Sequence, residues 1–220
     1  MEDVLEVYHR PYDSEFPQVC LDEASKQILS EVREPHPAKP AHLRPDGTLA
    51  EATPLRVDNE YKREGTCSLF MLFEPLAGKR KVLVREQRTC LDYAQVILYL
   101  CDEMYPDAKK IILVQDNLNT HGAHSLYKAF PPSEARRLAE RIEWHHTPKH
   151  GSWLNMAETE LSVLAGQCVD ERMGSQEEIS CQVAAWEVSR NESCCRVDWR
   201  FTTADARIKL KRLYPVIQTS

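Results

Sequence analysis

One stretch, KKIILVQDN at residues 109–117, constrains the fold more than any other. Because residues 111–114 are all apolar, both faces of a strand would carry apolar side chains, so the run predicts a strand that is buried on both faces. Such a strand needs a sheet with a helical layer on each side. Helical patterns precede and follow the run, which therefore predicts an α/β fold with a mixed central sheet flanked by helices.

The rest of the chain supplies further elements for this plan. We expect strands at 19–21, 68–73, 81–85 and 142–145, helices at 89–104 and 133–141, and two more helices capped by Ser152 and Ser175. Residues 34–54 hold five prolines and little periodicity, and a loop of this length is typical of a functional or mobile segment. The last segment, 196–220, is a basic tail.

Length, charge and cysteine content exclude several classes of protein. The 220 residues are enough for one domain with a sizeable core. No apolar run approaches the roughly 20 residues that span a bilayer, and the acidic N-terminus lacks the pattern of a signal peptide. Eight scattered cysteines without a C-x-x-C pair indicate free thiols, so we expect a cytoplasmic protein without membrane contact. The net charge of −6 argues against coating nucleic acid by bulk attraction, but it permits acids that hold metal.

Three acids occupy notable places in this pattern. Asp22 and Asp116 each follow an apolar run, and sites in α/β sheets gather at the carboxyl ends of strands. Glu158 is four residues from Leu154 and three from Leu161, so on a helix we expect it to point with the apolar face. A buried carboxylate is costly unless a cation lies beside it.

A divalent metal ion would remove that cost. Mg²⁺ prefers oxygen ligands, and two ions about 3.5–4 Å apart can activate a water or hydroxyl and stabilise the leaving oxygen of a phosphodiester. The three acids therefore predict a metal-assisted phosphoryl-transfer site. A structural interpretation stays open, because an Asp after a strand is often a turn or cap residue and a Glu can reach solvent from the edge of a stripe.

Five histidines near these acids allow a second interpretation: His121, His124, His145, His146 and His150. A zinc site could be drawn from them, which would make the protein a zinc-dependent hydrolase. The sequence has no H-E-x-x-H and no paired Cys/His ligand spacing, so this is the weaker hypothesis. We expect His121 and one loop histidine to line the site and to contact phosphate or orient a carboxylate.

Four ordered stretches resemble one known family: VCLDEAS (19–25), ILVQDNLNTH (112–121), HTPKHGSWLNMAE (146–158) and WRFTTADARIKLKRLYP (199–215). Together they are similar to the catalytic part of mariner-like bacterial insertion-sequence transposases, which are DDE superfamily endonucleases. The resemblance implies an RNase H-like fold over residues 1–195, DNA cleavage and strand transfer, and two Mg²⁺ or Mn²⁺ ions in each active site.

The resemblance also assigns individual residues. Asp22, Asp116 and Glu158 match the catalytic, metal-binding triad, in which Asp22 would bridge both ions. Four residues match flanking motif positions and are expected to support the triad: Glu23, Asn117, His121 and Asn155. Met156 stands where the family often has proline, which is a mild difference at a helix start.

The partners of the chain follow as expectations from the same likeness. Such transposases carry helix-turn-helix domains before the first catalytic Asp, and we expect none here because only 21 residues precede Asp22. DNA is the expected partner, with a homodimer or a separately encoded DNA-binding part. The candidate DNA-contacting residues are His146, Lys149, His150, Lys209, Lys211 and Arg212.

Two points stay open at this stage. The tail cations also fit a solvated end of an amphipathic helix. The chain is interpreted as a partial or split-frame transposase, and the alternative is an inactive remnant or a subunit that only binds another polypeptide.

Overall fold

A five-stranded mixed sheet forms the centre of the protein, whose computed structural model describes residues 1–214. The strands in chain order are β1 (Gln18–Glu31), β2 (His42–Leu43), β3 (Leu49–Ala50), β4 (Tyr61–Glu74), β5 (Lys79–Arg85), β6 (Ile111–Gln115) and β7 (Ile142–His146). The order across the sheet is β5-β4-β1-β6-β7. β6 is parallel to both β1 and β7, whereas β4 is antiparallel to both β1 and β5.

Helices cover both faces of this sheet. They are α1 (Glu2–Tyr8), α2 (Cys90–Tyr99, continued by a π-helical turn at Leu100–Met104), α3 (Ala123–Ala129), α4 (Pro132–Glu140), α5 (Met156–Gln167), α6 (Gln176–Glu192) and α7 (Thr203–Lys209). One apolar core joins α1, α5, α6 and α7 to the sheet, and a second joins α2, α3 and α4 to its other face.

The strand β6 is buried on both faces, as its apolar run predicts. Ile112 and Val114 lie in the core beneath α1 and α5, while Ile111 and Leu113 lie in the core beneath α2. Alternate side chains of a strand point to opposite faces, so this strand requires both helical layers. The predicted α/β class with a mixed, helix-flanked sheet is therefore confirmed.

The strand β1 is longer than the sequence predicts. We expected it to stop at Asp22, but it continues to Glu31 because β4 provides an antiparallel partner along that length. The parallel ladder with β6 does end beside Asp22, since its last pair is Leu21 with Gln115. Asp22 thus lies where the parallel part of the sheet ends.

The proline-rich segment between β1 and β4 is less irregular than predicted. The short strands β2 and β3 pair within it, and isolated bridges join His36 to Arg56 and Lys39 to Thr53. Most of its side chains are exposed. The segment is an extended, hairpin-like insertion.

The start of α5 also differs from the prediction. Ser152 begins a short 3₁₀ turn (Ser152–Leu154), and Asn155 is the residue that caps the helix. The Oδ1 atom of Asn155 accepts a hydrogen bond from the backbone of Ala157 at 3.2 Å. An Asn is a strong helix cap, so this choice agrees with known preferences.

A buried ion-pair network fixes α5 and α6 against β5. The fully buried Nε of Arg80 is 2.9 Å from Oε1 of Glu160, and Nε of Arg190 is 2.9 Å from the same oxygen. Arg80 also donates to the backbone carbonyls of Arg190 at 2.8 Å and Cys195 at 2.9 Å. The guanidinium of Arg80 therefore joins β5 to α5, to α6 and to the segment that follows α6.

The substitution Arg80→Ala should destabilise the fold strongly. The substitution leaves several buried acceptors unpaired, so we expect the free energy of unfolding to fall by about 3 kcal/mol. The loss is not larger because Arg190 still contacts Glu160. The matched control is Arg136→Ala, which removes an exposed pair with Glu140 and should change the urea unfolding curve little. Equal effects of the two substitutions would contradict this role of Arg80.

Candidate active site

Several acids influence one another around the end of the β1–β6 ladder. Asp22 is half-buried, and its Oδ1 accepts a hydrogen bond from the backbone of Glu23 at 2.8 Å. Burial raises the pKa of Asp22 to about 6, and the charges of Asp116, Glu23 and Glu158 contribute to the increase. These three carboxylates are thus close enough to disfavour the ionisation of Asp22.

A buried histidine neutralises part of this charge. Nδ1 of His121 is 2.5 Å from Oδ1 of Asp116, and its Nε2 is 3.1 Å from Oε2 of Glu23. The ring stacks on Tyr93 with 4.8 Å between centroids. Burial alone would lower the pKa of His121, but the contacts with Asp116 and Glu23 raise it to about 9. His121 is therefore an imidazolium at neutral pH, held between two acids.

A second chain of polar contacts joins Tyr93, Gln115 and His146, and no sequence motif indicated it. The Tyr93 hydroxyl donates to Oε1 of Gln115 at 2.8 Å, and Nε2 of Gln115 is 3.1 Å from Nε2 of His146. Burial lowers the pKa of His146, which favours the neutral ring. The only sequence signals were a Gln at the end of an apolar run and a Tyr on an apolar helix face.

The predicted group of loop histidines is divided by the structure. His146 contacts buried Gln115, whereas the buried His145 lies 2.8 Å from Asp3 and 2.9 Å from Glu143. His150 is exposed and has a positive φ of 62°. His145 therefore connects β7 to α1 and does not line the site.

Asn155 connects α5 to the strand that carries Asp22. Its side chain is buried, and Nδ2 donates to the carbonyl of Leu21 at 2.8 Å. The Tyr8 hydroxyl holds the preceding residue by donating to the carbonyl of Leu154 at 2.7 Å. These bonds set the first turn of α5, and with it Glu158, beside the end of the β1–β6 ladder.

Glu158 does not point into the core, and this part of the sequence argument was wrong. Its side chain is exposed, and the buried acid of the helix is Glu160, at 3% exposure. The helix packs through Ala157, Leu161 and Leu164, which leaves Glu158 at the edge of the buried face. An acid without a cation stays in water, whereas Glu160 is buried because two arginines neutralise it.

The oxygen-rich donor set fits a hard divalent cation. Within residues 1–214 no three His, Cys, Asp or Glu side chains stand close enough to enclose a metal ion. Over the same residues neither Asp22 nor Glu158 forms an ion pair, although the charge of Glu158 raises the pKa of Asp22. Mg²⁺ and Mn²⁺ favour carboxylate oxygens, so the chemistry of the group agrees with such an ion.

A cleft of about 370 Å³ adjoins Asp116. It lies between residues 116–118 and residues 147–152, and it includes Asn117, Lys149 and His150. The predicted tail cations Lys209, Lys211 and Arg212 are exposed on α7 and the turn that follows it, and Pro215 to Ser220 lie outside the described residues. The predicted basic residues thus belong to two separate elements.

Comparisons with known proteins agree with this arrangement. The sequence model of the DDE superfamily endonucleases matches residues 19–180. The crystal structure of the Mos1 mariner paired end complex with Mn has a TM-score of 0.52 and 16% identity, over 87% of this chain and 54% of that chain. No curated protein sequence matches significantly.

Two further structures also match, with lower similarity. They are the Mos1 transposase paired-end complex with left transposon end (TM-score 0.35, 16% identity, 88% of this chain and 60% of that chain) and the Mos1 Strand Transfer Complex (TM-score 0.30, 16% identity, 87% and 57%). The present chain spans little more than half the length of these Mos1 chains.

The similarity to the first Mos1 structure concerns the fold and confirms the predicted RNase H-like arrangement. The family match covers more than half of the chain and includes Asp22, Asp116 and Glu158. The chain belongs to the DDE superfamily endonucleases.

Proposed function

We propose that the chain is the catalytic part of a transposase, which cuts DNA and transfers the cut strand. The observation that carries this proposal is the half-buried Asp22 at the end of the β1–β6 ladder, beside Asp116 and with Glu158 near it, in a member of an endonuclease family. Burial and the neighbouring acids raise the pKa of Asp22, so a cation beside it would be favourable.

We propose that Asp22, Asp116 and Glu158 would hold two Mg²⁺ or Mn²⁺ ions. Ions of this kind polarise the phosphodiester and activate the attacking water or hydroxyl. The related Mos1 mariner paired end complex is a complex with Mn, which supports this class of metal. The exposed position of Glu158 keeps the site open to the water that Mg²⁺ retains.

The supporting residues would position the triad. His121 directs the Asp116 carboxylate, because its ring is fixed by Glu23 on one side and Tyr93 on its face. Asn155 holds α5 against Leu21. Asn117 lines the cleft beside Asp116, where it is available to a DNA backbone.

DNA is the proposed substrate and partner. Lys149 and His150 are exposed in the cleft, where Lys149 offers local positive charge and His150 a further hydrogen-bonding group in a chain of net charge −6, while His146 contacts Gln115. The tail cations Lys209, Lys211 and Arg212 would add to this surface. Function as a homodimer, or with a separately encoded DNA-binding part in the cytoplasm, remains our proposal.

Within residues 1–214, no helix is long and apolar enough to span a membrane.

Two other functions receive less support. Both ring nitrogens of His121 face carboxylates, and His145 lies against Asp3 and Glu143, so these histidines contact acids and do not gather as zinc ligands. An inactive remnant or interaction subunit would keep the fold without the chemistry, and the next experiment separates it from an active enzyme.

The substitution Asp116→Asn should abolish metal-dependent DNA cleavage. Loss of a carboxylate ligand should reduce Mn²⁺-dependent nicking of supercoiled plasmid by more than about 100-fold, because even partners of metal ligands contribute 10- to 100-fold. Asp107→Asn is the matched control, since Asp107 is exposed in the turn that lies four residues before the start of the same strand. A variant that nicks as fast as the parent would show that Asp116 is not catalytic, and an inactive parent would favour the remnant.

The substitution His121→Asn should weaken cleavage without unfolding the protein. It removes the ring that directs Asp116, and we expect nicking to fall by roughly 10- to 100-fold at saturating Mn²⁺. His124→Asn is the control, because His124 is exposed and contacts only the backbone of Asn119 among the described residues. Normal activity of the His121 variant, together with an inactive Asp116 variant, would show that His121 does not contribute to cleavage.

A further inference from the structure

Trp153 is a large aromatic side chain that is exposed yet fixed in position. It is 43% exposed, although an indole is usually well buried in a folded protein. Its ring lies 6.4 Å from Trp199 and 6.1 Å from Phe201, with interplanar angles of 27° and 73°. Trp199 in turn packs against Tyr8 at 5.3 Å. We call Trp153, Trp199 and Phe201 the aromatic ledge.

The aromatic ledge adjoins the candidate active site. Trp153 follows Ser152, which lines the cleft beside Asp116. It also precedes Asn155 by two residues, and the amide of Asn155 contacts the backbone of Leu21, next to Asp22. Trp153 therefore belongs to the short turn that borders the cleft at Ser152 and leads into α5.

Positive charge lies on both sides of the ledge. Lys149 and His150 are exposed in the cleft on one side. On the other, Nζ of Lys209 lies 5.5 Å from the Phe201 ring centroid. Residues 196–214 carry six Lys or Arg and only two Asp. Three of these cations form ion pairs, Arg200 with Asp198, Lys209 with Asp205 and Arg207 with Glu2, and the other three are Arg196, Lys211 and Arg212. Basic residues interleaved with aromatic rings are the pattern of single-stranded nucleic-acid surfaces.

We propose that Trp153 is a stacking platform for an unpaired base of single-stranded DNA that leaves the carboxylates toward the tail. The inference rests on the proposed function for the location of the cut phosphate. The cleft of about 370 Å³ is of the size that encloses a small ligand, and it would hold the sugar and phosphate beside Asp116. The neighbouring base would lie on the indole face, which accepts any base because every base has a π-face.

The occupant is a single strand because an interior base of a duplex has both faces covered by its neighbours, whereas an unpaired base can turn one face to the indole. Trp199 and Phe201 hold the Trp153 ring before any ligand arrives, so little conformational entropy is lost on stacking. A ring that served only to pack the tail would gain nothing from its exposed surface. Its replacement by an aliphatic residue of similar bulk separates the two roles.

The test compares Trp153→Leu with Trp153→Phe in the full chain. Binding of a fluorescein-labelled oligothymidylate is measured by anisotropy in buffer with EDTA, so that no metal chemistry contributes. We expect the Leu variant to bind roughly 5- to 100-fold more weakly than the parent, because stacking is lost. The Phe variant should stay within about threefold of the parent, and a blunt duplex of equal length should respond less than the single strand. Tyr12→Leu is the control, since Tyr12 is 57% exposed and lies before the start of β1.

A second readout does not depend on the stability of the Leu variant. The unlabelled oligothymidylate should quench tryptophan emission of the parent, and the quenching should disappear in the Phe variant. Equal affinity of the Leu and Phe variants, or undiminished quenching in the Phe variant, would overturn the platform. Neither result touches the cleavage assay of Asp116→Asn, so failure of the platform is distinguishable from failure of the proposed function.

Discussion

The side-chain amide of Asn155 connects the two parts of the molecule that carry the candidate site. It donates to the carbonyl of Leu21, one residue before Asp22, and it caps the helix that carries Glu158. The amide is buried, so loss of either bond would leave an unpaired polar group at a cost of about 1–3 kcal/mol. The position of Asp22 relative to Glu158 therefore depends on Asn155, an uncharged residue that bonds the backbone beside each acid.

The negative charges of the acids near Asn155 are neutralised by cationic side chains to different degrees. Glu160 is buried between Arg80 and Arg190, and it serves the fold. Glu23 and Asp116 share the charge of His121. In residues 1–214 no ion pair reaches Asp22 or Glu158, so the negative charge that remains is concentrated where a divalent cation would be useful to phosphoryl transfer. The difference separates a structural acid from a candidate catalytic acid on the same helix.

The sequence predicted features that depend on local pattern. The apolar run of β6 indicated two helical layers, and α2 begins at the predicted position, where Thr89 caps it. The sequence did not predict the extension of β1, which depends on pairing with a distant strand, or the burial of Glu160, which depends on Arg80 in β5. Helical spacing placed Glu158 on the apolar face, whereas tertiary contacts selected Glu160 for burial. Tyr93 and Gln115 carried no motif, because their role arises only when α2 lies on the sheet.

The central claim is that Asp22, Asp116 and Glu158 form a divalent-metal site, and direct Mn²⁺ binding to the full chain tests it. Calorimetric titration needs no DNA and no turnover. The parent should bind Mn²⁺, and Asp22→Asn should lose that binding while Asp107→Asn keeps it, because Asp22 is a proposed metal ligand and Asp107 is not. Unchanged Mn²⁺ binding in the Asp22→Asn variant would contradict the account.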